Sequence, residues 1–185
     1  MSSLTRKDAE SAVSTLLEYL GATGVRLPAE VSANTPLRVV EMLEEVLSGY
    51  GETAEGGRLY AAPHGLPVAV MGVPFYSMCE HHLLPFFGHV DVRYLPESGA
   101  LGLSAISSLV GRFSRRLQLQ ERMTTEIATG IATASGARVV EVVVEAEHLC
   151  MAMRGVKTPA GKVRTAAVAG RQAADPDAVR MLDRV

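Results

Sequence analysis

Two short stretches, Met78-Cys79-Glu80-His81-His82 and Glu147-His148-Leu149-Cys150-Met151, hold both cysteines of the chain and three of its five histidines. Any fold for this chain has to explain why each cysteine lies within two residues of a histidine. Cys79-x-x-His82 has the spacing of two metal ligands leaving one turn, and Cys150 offers a third from far downstream. Three such ligands with no evident fourth fit a catalytic zinc, because a structural zinc is normally closed by four protein groups. His81 and His148 then stand beside the metal as titratable groups. Two other readings compete: a Cys79–Cys150 disulfide, which a reducing compartment disfavours, and buried thiols that act only as packing.

The segment Val139 to Cys150 reads as a strand, with residues 140, 142, 144, 146, 148 and 150 on one side. On that reading His148 and Cys150 point the same way, about 6.5 to 7 Å apart. With 185 residues, one domain with a substantial core is expected. A net charge of -2 with 18 basic against 20 acidic residues lacks the basic excess of a nucleic-acid binder. The apolar runs are too short and interrupted to cross a bilayer. The first residues, Met1-Ser2-Ser3-Leu4-Thr5-Arg6-Lys7-Asp8, lack the apolar stretch of a secretory signal, so no membrane partner and a cytoplasmic location are expected.

Taken in order, Ala9, Ala12, Val13, Leu16, Leu17 and Leu20 form the stripe of a helix that Gly21 is placed to end. Thr35-Pro36 reads as the start of a second helix running to Gly49. Residues 51 to 65 read as a long loop. A strand is expected over Val68 to Val73, then the metal-ligand turn, then an alternating strand from Phe86 to Leu95 with Val90, Val92 and Tyr94 facing the core. A helix beginning at Ser104 carries Ile106, Leu109, Val110, Phe113 and Leu117, and another carries Met123, Ile127 and Ile131 up to Ser135-Gly136. After the strand that ends at Cys150 come a loop over Gly155 to Gly161, a short strand near Val163 to Val168 and a polar tail. Two helices, two strands, two helices and two strands make an α+β domain with an antiparallel sheet. The organisation read from this order is a helical region over 1–50, a catalytic domain over 51–170 and a tail over 171–185.

Ser77-Met78-Cys79-Glu80-His81-His82-Leu83-Leu84-Pro85-Phe86, Gly102-Leu103-Ser104, Arg115 to Arg122 and Glu147 to Gly155 appear together in an order that closely resembles GTP cyclohydrolase I. The likeness runs from Thr35-Pro36-Leu37-Arg38 to about Gly170. It implies a tunnelling fold, with helices on one face of an antiparallel sheet, an N-terminal helical extension, and sheets of several subunits closed into a barrel. It also implies a homodecamer with sites at subunit interfaces. Cys79, His82 and Cys150 would hold zinc, with His81 and His148 catalytic. Ser104, Gln120 and Glu121 match positions that meet guanine, and Arg154 and Arg38 match positions that contact phosphate. The implied reaction opens the guanine imidazole ring of GTP by hydrolysis, releases formate and forms 7,8-dihydroneopterin triphosphate, a step toward pterins and tetrahydrofolate. Zinc suits it because it lowers the pKa of water that it binds.

Ala105 and Ser108 stand where the family carries a lysine and an arginine, and Glu41 where some relatives have a lysine. That thinning motivates a second reading, a paralogue acting on a purine nucleotide with fewer phosphates or on a modified purine. Arg93, Arg112, Arg115 and Lys157 are other cations that could approach the phosphates. A third reading is a non-catalytic assembly protein whose zinc ties a turn to a strand, which requires four protein ligands.

Overall fold

The computed structural model describes residues 4–51, 57–61, 65–158 and 161–185. It divides into two compact units, 1–47 and 48–185.

The first unit is a helix pair, α1 (Arg6–Ala22) and α2 (Ala29–Val46). Thr5 caps α1 by accepting from the Asp8 backbone N–H, and the Asp8 carboxylate answers by accepting from the Thr5 N–H at 2.7 Å. Gly21 does not end α1, whose C-cap is Thr23. Arg6 reaches across to α2, 3.3 Å from Glu41 and 3.2 Å from Glu44. The expected start at Thr35-Pro36 is corrected: α2 begins at Ala29 and contains Pro36 in its interior. Pro28 fits just outside the helix, and Ala29, Glu30 and Ala33 form helix readily, so the early turns extend without help from Thr35.

The second unit opens with a 3-10 turn (Ser48–Tyr50), followed by β1 (Leu59–Tyr60), β2 (Val68–Cys79), β3 (Pro85–Leu95), β4 (Ala100–Leu101), α3 (Leu103–Ser114), β5 (Leu117–Gln118), α4 (Gln120–Ser135), β6 (Val139–His148), α5 (Leu149–Ala152), β7 (Lys162–Ala169), α6 (Pro176–Arg180) and a final turn (Met181–Arg184). The main sheet has the order β5-β2-β3-β6-β7, antiparallel except where β5 runs parallel to β2. The expected α+β class is what the chain adopts. The two helices α3 and α4 pack on one face of this sheet. Alternation decides which side chains meet them: Val90, Val92 and Tyr94 of β3 and Val140, Val142 and Val144 of β6 are fully buried against Ile106, Val110, Met123, Ile127 and Ile131.

Strand β2 runs six residues past the expected Val73, with a bulge at Val70/Val73 where Gly72 takes φ 71° and donates its N–H to Asp91 at 2.8 Å. Gly88 lets β3 approach β6 closely, since a Cβ there would lie 1.9 Å from the Glu145 carbonyl oxygen. Within the expected loop over 51 to 65, Leu59 and Tyr60 pair with Ala100 and Leu101, while residues 52–56 and 62–64 lie outside the described ones. Pro159 and Ala160 of the second expected loop also lie outside them. Leu117 belongs to β5 rather than to the helix before it. The segment read as a polar tail is capped and packed: Asp175 accepts from the Asp177 N–H at 3.0 Å, and Ala178 and Leu182 are buried against Leu95 and Val139.

Candidate metal and catalytic site

Strand β2 delivers Cys79, buried, to the sheet end where the chain reverses into β3. The reversal is closed by Cys79 N–H donating to the Leu84 carbonyl at 2.9 Å and by Leu83 N–H donating to the Cys79 carbonyl at 2.9 Å. Leu83 sits at φ 50°, a left-handed conformation that a branched side chain adopts only when its surroundings impose it. This turn brings His82 back over Cys79, with Nδ1 3.6 Å from the thiol sulfur.

Cys150 arrives differently from expectation. Strand β6 stops at His148, and Leu149 to Ala152 form one helical turn, so Cys150 is not the next outward position of a strand. The pairing of Phe86 with His148 is the last rung of the β3–β6 ladder, and past it nothing holds the chain extended. The helical turn still serves the site: Cys79 Sγ, Cys150 Sγ and a ring nitrogen of His82 lie within 4.8 Å of one another. Both thiols are free, so the disulfide reading is not what the chain forms. Burial, and then the neighbouring Cys79 thiol, push the Cys150 thiol up, with Arg154 pulling the other way. A divalent cation placed beside the Cys150 sulfur reverses that preference. Two sulfurs and one imidazole are the donor set of a zinc site.

His148 is fixed from two sides. Its ring stacks on Phe86 at 4.6 Å between centroids, and its Nε2 lies 2.7 Å from Gln120 Oε1. Gln120, only 2% exposed, donates Nε2 to the carbonyls of Val144 (3.2 Å) and Val163 (3.0 Å) and also lies 3.1 Å from Thr165 Oγ1. Since those carbonyls can only accept, the amide oxygen faces the histidine, and the network assigns the neutral ring's proton to Nε2. Burial lowers the pKa of His148, and the charge of Glu121 partly restores it. Glu121 is exposed in the first turn of α4, and Ser104 is exposed in the first turn of α3. His81 is exposed on the ligand turn, its ring 6.1 Å from that of His82. Arg154 is exposed past α5, close enough to act on Cys150. Arg38 is exposed on α2, in the other unit.

Of the alternative cations, Arg93 lies 3.4 Å from Glu141 and Arg112 lies over the Phe113 ring, while Arg115 and Lys157 are exposed. The sequence reading missed the anchoring of Gln120 and the stacking of Phe86. Both depend on β3, β6 and β7 meeting α4, and no spacing along the chain signals that.

A two-sulfur, one-imidazole centre at the end of an antiparallel sheet, beside a half-buried histidine, defines a zinc-site enzyme domain of α+β class. The chain belongs to the GTP cyclohydrolase I family, whose family model matches residues 9–183. It is 50% identical over 161 residues to GTP cyclohydrolase 1 of Hyperthermus butylicus, covering 87% of this chain and 80% of that one. It is 45% identical to that of Carboxydothermus hydrogenoformans (87% and 84%) and 42% identical to that of Sinorhizobium fredii (93% and 84%). Among solved structures, the apo form of the archaeosine synthase QueF-Like is similar over 59% of this chain and 96% of that one, at 19% identity and a TM-score of 0.46.

Proposed function

We infer that the protein is a zinc-dependent GTP cyclohydrolase I, opening the guanine imidazole ring of GTP with loss of formate to give 7,8-dihydroneopterin triphosphate. The observation that carries this reading is the convergence of Cys79, His82 and Cys150 within 4.8 Å beside a histidine locked by Gln120. Bound there, zinc would supply Lewis acidity that makes water nucleophilic near neutral pH.

The rest of the chemistry falls to side chains. Burial shifts His148 toward its neutral form, with the charge of Glu121 opposing. With Nε2–H committed to Gln120, its Nδ1 is the nitrogen that takes up a proton and returns it to the purine as the ring opens. Gln120 acts through His148 and serves as a positioning residue. Glu121 accepts from the N–H edge of guanine, a paired donor that a carboxylate matches. His81 relays protons at the open side of the turn, and Ser104 completes the base pocket. Arg154 contacts phosphate, a role that the resemblance also implies for Arg38, with Arg115 and Lys157 as further exposed cations where Ala105 and Ser108 bring none. A reducing cytoplasm would keep both thiols available.

The subunit is proposed to work in a ring, as the decamer implied by the resemblance. Among the described residues β5 covers only Met78 and Cys79 of β2, and β7 pairs only with β6, so both edges of the sheet offer backbone groups to a neighbour.

The test is formate release by zinc-loaded protein from GTP, GDP, GMP and 8-oxo-GTP. Formate from GTP, lost together with zinc in Cys150→Ala, is expected. Formate from GMP but not GTP would replace the triphosphate reading, and zinc binding without formate from any purine nucleotide would leave only an assembly role.

A further inference from the structure

Glu80 lies between two of the zinc ligands, and its carboxylate is ion-paired to the Arg122 guanidinium from the first turn of α4. Arg122 has two further acceptors, Gln118 Oε1 at 2.9 Å from Nε and the Leu117 carbonyl at 3.2 Å from Nη2. The backbone on either side is tied as well, since Glu80 N–H donates to the Gln118 carbonyl at 3.2 Å. Gln118 is itself immobilised: it is 2% exposed, and its Nε2 donates to the Phe113 carbonyl at 2.9 Å and to Glu126 at 2.7 Å. Glu126 faces Arg116 at 3.9 Å, and Arg116 donates to the Gly49 carbonyl at 3.0 and 3.2 Å. A connected polar chain therefore runs from the 3-10 turn at Gly49 through Arg116, Glu126, Gln118 and Arg122 to Glu80, the residue following Cys79.

We propose that the Glu80–Arg122 pair is a positioning device that holds the Cys79–His82 turn in its metal-ready shape and locks it to α4, the helix that carries Gln120 and Glu121. This rests on the reading of Cys79, His82 and Cys150 as zinc ligands. The turn needs such a hold because Leu83 keeps it in a conformation that the chain would leave if freed. The side chains of the pair are 30% and 44% exposed, and ion pairs of that exposure add little to global stability. Its purpose is therefore placement of the ligands, which groups just outside a metal's own ligands commonly govern.

The test is zinc affinity of the full chain by chelator competition, with the visible spectrum of the cobalt-substituted protein as a second readout, in Glu80→Gln, Arg122→Gln and the double variant. Each single change is expected to weaken zinc by roughly 10- to 100-fold and to shift the cobalt bands. The double variant is expected to be no worse than Arg122→Gln alone, and the unfolding midpoint of the zinc-free Glu80→Gln protein to stay unchanged. Arg122→Lys, which keeps the charge without the planar fork, is expected to recover part of the loss. Because Arg122 also braces Leu117 and Gln118, Glu80→Gln is the deciding variant. Wild-type affinity and an unshifted cobalt spectrum in Glu80→Gln would overturn the proposal while leaving the zinc reading intact. A wild-type protein that binds no zinc would remove the reading itself.

Discussion

Tyr94 shows how one side chain joins two parts of the second unit. Its ring is fully buried in β3, and its hydroxyl accepts the Leu101 N–H from β4 at 3.0 Å. Burial raises its pKa, partly offset by that bond, so the folded state favours the neutral phenol. Tyr94→Phe keeps the packing and orphans the Leu101 N–H, and is expected to cost about 1–3 kcal/mol in urea unfolding. An unchanged midpoint would mean that the N–H finds another acceptor. At this scale the sequence was most informative about chemistry: Cys79, His82 and Cys150 were legible as a ligand set. It was least informative about Gln120, whose place at a helix start gave no sign that its amide is buried against two neighbouring strands.

Elements were legible where a local pattern persists. The alternation of β3 matches the buried and part-exposed faces observed, and the stripes of α3 and α4 match their packing. Legibility failed where pairing partners decide: β6 ends at His148 because the β3 ladder ends there, and α2 runs through Pro36. The β6–β7 ladder carries the pH prediction. Lys162 Nζ lies 2.6 Å from Glu145 Oε1, lowering the Glu145 pKa and raising that of Lys162. A depressed carboxyl stabilises the fold above its unfolded value and loses that contribution as pH falls through the folded one. The raised lysine contributes fully below its unfolded value and loses it as pH rises through the folded one. Glu145→Gln is therefore expected to be less stable than wild type across neutral pH, the two melting points converging below about pH 4 and again above about pH 10.5. A difference that persists in acid would assign the effect to packing.

For the whole molecule, the two open sheet edges and exposed apolar side chains such as Tyr76, 72% exposed, set the expectation of an assembly. Light scattering is expected to return a mass many times the 19.7 kDa of one chain. A monomer at micromolar concentration would sink the ring. What the sequence alone determined is the donor set, the α+β class and the family, because these rest on residue type and short-range periodicity. Only the tertiary structure decided that Cys150 joins Cys79 and His82 from a helical turn, that Gln120 orients His148, and that Arg122 grips the ligand turn. Each of those is a hydrogen bond or contact between segments far apart in the chain, and such partners become neighbours only when the sheet and helices close on one another.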